Sequence, residues 1–367
     1  MKYVVLVGDG MADYPLEALE GKTPLQVAHT PNMDFISTEG KSGIVRTISD
    51  GMYPGSDIAN LSILGYDPRK YYTGRGPLEA ASMGVSLGEG EVAFRCNLVT
   101  VKEDILVDYS AGHISTEEGR ALIKLIDKKL GCKSISFHPG ISYRHLLVLK
   151  GCEKVRCIPP HDIVGQPMEE NLPSGECSGL LKKLMHDSRS ILGEYMIWPW
   201  GPGKAPPHMP SFEDKYDLSG SVISAVNLIK GIGRCAGLQI INVPGATGYL
   251  DTNYKGKADY ALSSLENKDF VFVHVEAPDE AGHAGDIRAK IKAIEDFDEK
   301  VVGTMLDGLS KYEEHKIMVL PDHPTPISLR THTPDPVQYA MFSTCELSTR
   351  MFIEEGHELM DLFIKGC

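Results

Sequence analysis

The sequence lacks several features that would place it in a common functional class. It contains no run of about 18 apolar residues that could span a membrane. It also lacks an excess of basic residues, because the formal net charge is −13. Nucleic-acid binding needs a basic face for phosphate contacts, so neither nucleic acid nor a membrane is an expected partner. A small anionic substrate is still compatible with a locally basic cleft.

The eight cysteines form no CxxC motif and no paired spacing. The sequence therefore predicts neither a zinc ribbon nor a redox motif, and we expect reduced thiols in a cytoplasmic protein. The opening segment MKYVVLVGDG has only about five consecutive apolar residues and no small-residue cleavage site after them. It predicts a buried strand rather than a secretory signal.

Apolar runs that end in turn residues recur along the chain and alternate with helix-like segments. The runs lie at 2–7, 238–243, 269–279 and 315–323, and the helix-like segments lie at about 256–266 and 286–312. This alternation predicts an α/β fold with a parallel-rich sheet covered by helices on both faces. Ligands of such sheets bind outside the carboxyl ends of the strands.

The middle of the chain predicts a different, α+β arrangement. Two hairpins are expected at 91–110 and 133–150, the second with a Pro-Gly turn, and helices are expected near 116–130 and 175–190. The segment WPWGPGKAPPHMP (198–210) is too rich in proline for a strand or helix and predicts a linker, with Gly201 and Gly203 as hinge positions.

These patterns predict two domains. We expect an α/β core of residues 1–88 and 206–367, and an inserted α+β cap of residues 89–205. The cap would act as a lid that excludes water.

Asp and His side chains follow the predicted strands and form the strongest candidate site. They are Asp9, Asp279, His283, Asp322, His323 and His332. Carboxylate and imidazole ligands without thiolate suit Mn²⁺, Zn²⁺ or Mg²⁺. Six such groups exceed what one ion takes from a protein, so two ions are expected. Taken alone, a pair such as Asp322 and His323 is more often hydrogen-bonded in a loop than bound to a metal.

Asp279 and His283 are four residues apart, so a helical turn would place them on one face to hold one ion. Asp322 and His323 are adjacent, so their side chains diverge and would address two ions or two sides of one.

Ser56, in GMYPGSDIAN, lies at the predicted start of a helix. Its hydroxyl has favourable neighbours there for an incoming phosphate, and a nearby divalent ion would hold it as the alkoxide. The competing interpretation is an N-cap whose oxygen accepts a backbone amide. The sequence by itself leaves both open.

Basic residues of the middle segment are candidates for anion recognition. Arg144, Arg75 in TGRGP and His113 in SAGHIS are such candidates, although most Arg residues on an acidic protein are simply solvated. Lys255 and Lys257 in TNYKGKA are weaker ones.

Five motifs together resemble the cofactor-independent phosphoglycerate mutases of the archaeal type, within the alkaline phosphatase superfamily. They are GDGMAD, GSDIANLSILGYDP, APDEAGHAGD, PDHPTP and RTHTPDP. The resemblance implies an alkaline-phosphatase-like core that interconverts 3- and 2-phosphoglycerate through a phosphoserine. It also implies two divalent ions, Mn²⁺ or Zn²⁺, and no 2,3-bisphosphoglycerate.

The resemblance further implies a role for each candidate residue. Asp279, His283 and His332 would hold one ion, and Asp9, Ser56, Asp322 and His323 the other. Ser56 would be the nucleophile, and His113, Arg144 and Arg75 would bind the substrate. Mutases of the longer type carry an Arg-Asp pair where this chain has Arg144-His145, so His145 or His113 is the candidate acid/base residue.

Three other functions are compatible with these motifs: a homoserine kinase-like phosphotransferase of the same family, a phosphomonoester hydrolase of the superfamily, and a metal-stabilised binding protein. The chain has no GxxxxGK[ST] motif, which argues against a common nucleotide donor. Neither the identity of the metal nor the oligomeric state follows from the sequence.

Overall fold

The computed structural model describes residues 1–207, 209–348 and 350–366. The chain forms two units, one of Met1–Tyr72 with His208–Cys367 and one of Thr73–Pro207. The strands are β1 (Lys2–Gly8), β2 (Lys41–Val45), β3 (Glu91–Lys102), β4 (Ile105–Asp108), β5 (Ile135–Ile141), β6 (Arg144–Lys150), β7 (Val155–Arg156), β8 (Ser174–Gly175), β9 (Tyr195–Lys204), β10 (Gly220–Ile223), β11 (Gln239–Ile241), β12 (Phe270–Val275), β13 (His315–Leu320), β14 (Val337–Ser343) and β15 (Phe352–Ile353).

The α-helices are α1 (Pro24–Val27), α2 (Pro31–Glu39), α3 (Ser56–Ile63), α4 (Pro68–Tyr71), α5 (Arg75–Ser82), α6 (Thr116–Leu130), α7 (Ser178–Leu192), α8 (Phe212–Tyr216), α9 (Asn227–Cys235), α10 (Tyr254–Leu265), α11 (Ala277–Ala284), α12 (Ile287–Phe297), α13 (Thr304–Leu309) and α14 (Glu358–Lys365). A π-helical stretch, Asp298–Gly303, joins α12 to α13.

The first unit is built on an eight-stranded sheet of order β11-β10-β12-β1-β13-β14-β2-β15. Strands β11, β10, β12, β1 and β13 are parallel, and β14 is antiparallel to both of its neighbours. Residues 4–8 of β1 are all buried, because β1 lies between β12 and β13 and helices cover the sheet. The parallel-rich α/β fold predicted from the apolar runs is therefore confirmed.

The sequence patterns missed four of the eight strands of this sheet. Strands β2, β14 and β15 and the short strand β10 have no counterpart among the predicted runs. The first three are partly exposed, so their sequences lack the continuous apolar run that marks a central parallel strand.

The second unit has a separate sheet, in which the long strand β3 pairs with β4, β6 and β9, and β6 pairs with β5. Both predicted hairpins and both predicted helices are present. The turn of the second hairpin is Ser142–Tyr143, however, and the Pro139-Gly140 pair lies inside β5 at an irregularity in its register.

The prediction of a linker at 198–210 is wrong for its first half. Residues Tyr195–Lys204 form β9, antiparallel to β3, and Trp198 and Trp200 are buried. Among the described strands β9 pairs with β3 alone, and an edge strand tolerates proline because one side of it needs no amide donor. Gly201 and Gly203 thus belong to a paired strand rather than to a free hinge.

The first boundary between the units lies at Tyr72–Thr73 rather than at residue 88. The reason is α5, whose Ala80 packs against Ala93 of β3 and Leu146 of β6. The second boundary, at 207–208, lies within two residues of the prediction.

The expectation that all cysteines are unpaired is wrong for one pair. Cys152, after β6, and Cys177, before α7, form a disulfide with their Cα atoms 5.3 Å apart. Five of the others are free thiols.

No helix in the part of the chain that the structure describes is long and apolar enough to cross a membrane.

Candidate active site

The predicted ligand residues meet at one edge of the eight-stranded sheet. Asp9 follows β1, helix α11 follows β12, and Asp322 with His323 follows β13. These three strands are parallel neighbours, so their carboxyl ends bring the side chains together. The topology therefore juxtaposes residues that are more than 300 positions apart in the chain, such as Asp9 and Asp322.

One group of side chains consists of Asp279, His283 and His332. Asp279 and His283 lie on one face of α11, with Asp279 Oδ2 3.2 Å from His283 Nε2. The Nε2 atoms of His283 and His332 are 2.9 Å apart, and His332 Nε2 is 3.4 Å from Asp279 Oδ1. His283 Nδ1 lies 2.9 Å from the carbonyl oxygen of Arg330, so Nδ1 donates there and Nε2 faces the group.

The second group surrounds Asp9 and Asp322. Asp322 Oδ1 accepts the Gly10 N–H at 3.0 Å, and Oδ2 accepts the side-chain amide of Asn60 at 2.8 Å. His323 Nε2 lies 3.4 Å from Asp9 Oδ1. His323 also lies beside the first group, since its ring centroid is 4.1 Å from that of His332. It therefore stands between the two groups rather than within one of them.

Ser56 is the first residue of α3, and its hydroxyl points to these groups. Its Oγ lies 3.1 Å from His323 Nε2. The N-cap is Gly55, and no side chain caps this helix. The competing N-cap interpretation of Ser56 is therefore wrong, because its oxygen contacts an imidazole instead of a backbone amide.

The sequence patterns missed His274, which is fully buried in β12. Its Nε2 lies 3.4 Å from Asp9 Oδ2 and 3.8 Å from Asp322 Oδ2. Its Nδ1 lies 3.2 Å from Glu276 Oε1. The signal that could have found it is an imidazole inside the apolar run FVFVHV, where an unpaired polar group is costly.

The charges of the site influence one another strongly. Burial, and then the charges of Asp322 and Asp279, raise the pKa of Asp9 well above its ordinary value. Burial lowers the pKa of His274, but the nearby carboxylates of Asp322 and Glu276 outweigh it and raise that pKa to about 8. Against the opposing effect of burial, the Asp279 carboxylate raises the pKa of His283 to about 9.

Three buried atoms in the site have no hydrogen-bond partner: Asp9 Oδ1, His274 Nε2 and Asn60 Oδ1. Two sets of atoms also lie within 4.8 Å of one another, one from Asp9, His274 and Asp322 and one from Asp279, His323 and His332. Converging carboxylate oxygens and imidazole nitrogens that are buried and unsatisfied are the donor set of a divalent cation. The residues present thus fit two such ions.

Surrounding side chains hold the ligand loops in place. Thr325 Oγ1 donates to Asp279 Oδ1 at 2.5 Å. The fully buried Lys290 of α12 pairs with Asp13 at 2.6 Å and donates to the Thr325 carbonyl at 2.8 Å, so it ties the loop after β1 to the loop after β13. Gly10 has φ +58°, and a Cβ there would lie 2.5 Å from Asp279 Oδ1, so a side chain would disturb the site.

The three predicted substrate residues belong to the second unit. The Arg75 guanidinium lies over the ring of Trp200, 5.1 Å from its centroid, and a second arginine, Arg95, lies 5.3 Å from the same centroid. Arg144 is exposed and lies 5.4 Å from the ring of Tyr143.

His113 is exposed in a turn, where its φ is +53°. Its backbone N–H donates to Ser110 Oγ. The assignment of Arg75, Arg144 and His113 to the substrate stays a prediction.

Of the two acid/base candidates, His145 has an enclosed environment. Its Nδ1 accepts the Gly140 N–H at 3.0 Å. Burial, and then the charges of Arg95 and Arg120, lower the pKa of His145 to about 3. The assignment of the acid/base role to His145 or His113 stays a prediction.

The chain is 52% identical to the 2,3-bisphosphoglycerate-independent phosphoglycerate mutase of Methanothrix thermoacetophila, over 100% of both chains. The chain belongs to this family. The family model described as 2,3-bisphosphoglycerate-independent phosphoglycerate mutase matches residues 37–197. The family predicted from the five motifs is thereby confirmed. Enzymes of this family are named for their independence of 2,3-bisphosphoglycerate, as the resemblance implied.

Solved structures agree with this membership. A Pyrococcus horikoshii protein superposes with a TM-score of 0.82 at 27% identity, covering 99% of this chain and 96% of its own. The cofactor-independent phosphoglycerate mutase of Thermoplasma acidophilum superposes with a TM-score of 0.63 at 25% identity, covering 100% and 99%. The fold described above is therefore that of this mutase family.

Proposed function

We propose that the protein interconverts 3-phosphoglycerate and 2-phosphoglycerate, with Ser56 as the group that carries the phosphoryl between the two hydroxyls. The observation that carries this proposal is the position of Ser56 Oγ, 3.1 Å from His323 Nε2 at the edge where the two ligand groups meet. A nucleophilic hydroxyl needs an adjacent base or cation to lower the cost of its ionisation.

The contacts of His323 orient its ring so that Nε2 can be a ligand of the same ion as Ser56. Thr325 Oγ1 donates to Asp279, so towards His323 Nδ1, 3.3 Å away, it can only accept. That contact favours the tautomer with hydrogen on Nδ1 and a lone pair on Nε2, facing Ser56 Oγ. Burial lowers the pKa of His323, which keeps the ring neutral.

As the Ser56 hydroxyl loses its proton and the O–P bond forms, the bond between phosphorus and the glycerate 3-oxygen breaks, and the 3-oxygen takes up a proton. In the second step the glycerate 2-hydroxyl loses its proton and attacks the phosphoserine, and the bond between phosphorus and Ser56 Oγ breaks to restore the serine hydroxyl. The site must exclude water during this exchange, because hydrolysis of the phosphoserine would make the enzyme a phosphatase. That the second unit serves as the lid stays a prediction.

We propose that Asp279, His283 and His332 hold one divalent ion, and that Asp9, Ser56, Asp322 and His323 hold the other. Mn²⁺ and Zn²⁺ both suit this mixture of imidazole and carboxylate. When bound, such ions neutralise charge on the attacking oxygen and on the transferred group.

The cytoplasmic location of the protein also stays a prediction.

The test is Ser56→Ala, assayed for conversion of 3- to 2-phosphoglycerate. We expect turnover to fall by about a thousandfold or more while the variant still binds divalent metal, because loss of a nucleophile is not replaced by neighbouring groups. Ser62→Ala is the matched control, since Ser62 lies on the same helix, is fully buried and has no hydrogen-bond partner. It should retain full turnover.

Wild-type protein should also be assayed with ATP and homoserine, and for phosphate release from simple monoesters. Turnover of homoserine, or release of phosphate faster than isomerisation, would replace the mutase assignment with a kinase or hydrolase. Full mutase turnover in Ser56→Ala would remove Ser56 from the mechanism.

A further inference from the structure

We propose that His274 is a ligand of the ion held by Asp9 and Asp322, and that Glu276 and Lys257 fix its orientation. This inference rests on the proposed two-metal site. It adds to the ligands predicted from the motifs a nitrogen donor near the carboxyl end of β12, where no motif placed one.

The distances around His274 Nε2 fit ligation better than a hydrogen bond. Nε2 is 3.4 Å from Asp9 Oδ2 and 3.8 Å from Asp322 Oδ2. A charge-assisted N–H···O bond is about 2.7–2.9 Å long. Two ligand atoms bound tetrahedrally at about 2.0–2.2 Å from one ion are instead roughly 3.4 Å apart. The three atoms thus have the spacing of ligands that share a cation.

The tautomer of His274 follows from the donors around Glu276. Glu276 Oε1 accepts from the Ser224 hydroxyl at 2.7 Å and from the Ala225 and Val226 amides at 3.1 Å. Its Oε2 accepts from Lys257 Nζ at 2.9 Å. So many donors keep Glu276 ionised and able only to accept.

His274 Nδ1, 3.2 Å from Glu276 Oε1, must therefore carry the hydrogen. Nε2 is therefore the ring atom that faces the Asp9 and Asp322 carboxylates, and a cation bound between them would take the place of a hydrogen on Nε2. A carboxylate that orients a histidine towards a metal is a common arrangement around metal sites. In this chain the carboxylate is itself paired with a fully buried lysine.

Lys257 completes the arrangement rather than binding solvent or substrate. Its side chain is fully buried, and Nζ also donates to the His274 carbonyl oxygen at 2.9 Å. Helix α10 thus holds both the orienting carboxylate and the backbone of the ligand. Lys257 and Glu276 are positioning residues, and His274 is the ligand.

The experiment is a titration of metal-free protein with Co²⁺ and Mn²⁺. Binding is measured by calorimetry and, for Co²⁺, by the visible absorption of the bound ion. Wild-type protein should bind two ions. His274→Leu should weaken one of the two sites by about a hundredfold or more and change the Co²⁺ spectrum, whereas Glu276→Gln and Lys257→Met should weaken the same site by about 10–100-fold. His315→Gln is the matched control, because His315 is also buried in this sheet but lies at the amino end of β13.

Failure of the inference and failure of the proposed function give different results. Two ions bound by His274→Leu with wild-type affinity and spectrum would overturn the inference and leave the two-metal site intact. Binding of no ion by the wild type would overturn the two-metal site itself.

If His274→Leu does not fold, ¹⁵N-histidine NMR of wild-type protein with Zn²⁺ decides the question. The His274 Nε2 signal should move to the position of a metal-bound nitrogen and lose its sensitivity to pH. A signal that still titrates with both ions bound would overturn the inference.

Discussion

At the scale of single residues, the site depends on hydrogen bonds that orient its ligands. Thr325 is an example, because one hydroxyl donates to Asp279 Oδ1 and lies 3.3 Å from His323 Nδ1. It therefore connects a residue of the first ligand group with the histidine that stands between the groups. Its side chain is fully buried, so water does not replace it.

Replacement of Thr325 by valine should weaken metal binding by about 10–100-fold, because the Asp279 carboxylate and the His323 ring lose a fixed orientation. Titration calorimetry with Mn²⁺ measures the effect. Thr325→Ser keeps the hydroxyl and should stay close to wild type. Equal affinities of the valine and wild-type proteins would mean that packing alone orients Asp279.

At the scale of secondary-structure elements, α5 is fixed to the second unit by a buried ion pair. Glu79 of α5 accepts from Arg95 of β3 at 2.8 Å, and both side chains are buried. Burial raises the pKa of Glu79, but Arg95, Arg75 and Arg144 outweigh it and lower the pKa below its ordinary value of 4.5. Together with the packing of Ala80, the pair connects α5 to β3 within the second unit.

Glu79→Gln should lower the free energy of unfolding of the second unit by about 3–5 kcal/mol at pH 7, because it leaves Arg95 buried without a countercharge. Both tryptophans, Trp198 and Trp200, lie in β9, so tryptophan fluorescence during urea unfolding reports on this unit alone. The exposed Glu117→Gln is the control and should change stability by less than about 0.5 kcal/mol.

The effect of Glu79→Gln should depend on pH. A carboxyl group whose pKa is lowered by folding contributes its full stabilisation above pH 4.5, and loses it as the pH falls through the folded value. The difference between variant and wild type should therefore shrink below pH 4.5. A difference that is constant from pH 7 to pH 3 would show that Glu79 acts by packing instead of by charge.

At the scale of the whole molecule, the first unit buries acids that repel one another. Asp9, Asp279, Asp322 and Glu276 are all buried at the same end of the sheet. Lys257 compensates Glu276, whereas the three aspartates lie beside histidines in the two groups that we propose to bind cations. Metal should therefore contribute to the stability of the protein as well as to its activity.

Calorimetric unfolding should consequently move to higher temperature when Mn²⁺ is added to chelated protein. An ion that binds only the folded state stabilises it by about 2.7 kcal/mol at a hundredfold excess over its dissociation constant. The double variant Asp279→Asn, Asp322→Asn should lose most of this response. An identical response in that variant would place the stabilising ions elsewhere.

Much of the site could be predicted because its ligands follow strands or share a helix turn. Asp9 and Asp322 each come after a continuous apolar run, and Asp279 and His283 have helical spacing, so local patterns indicated both chemistry and position. His274 could not be found in this way, because its partners Asp9 and Asp322 are distant in sequence and its own neighbours are apolar. The proline-rich β9 was missed for a similar reason, since proline is tolerated there only because the strand lies at an edge.

The sequence by itself determined the central parallel strands, the amphipathic helices and the family, because each depends on residues close together in the chain. Only the tertiary structure decided that Ser56 Oγ contacts His323 and that Glu79 of α5 pairs with Arg95 of β3. It also decided that Glu276 contacts His274 Nδ1 and accepts from Lys257. Those pairings depend on how separate elements pack. Burial then makes each of them energetically important, because a polar group without its partner is costly inside the protein.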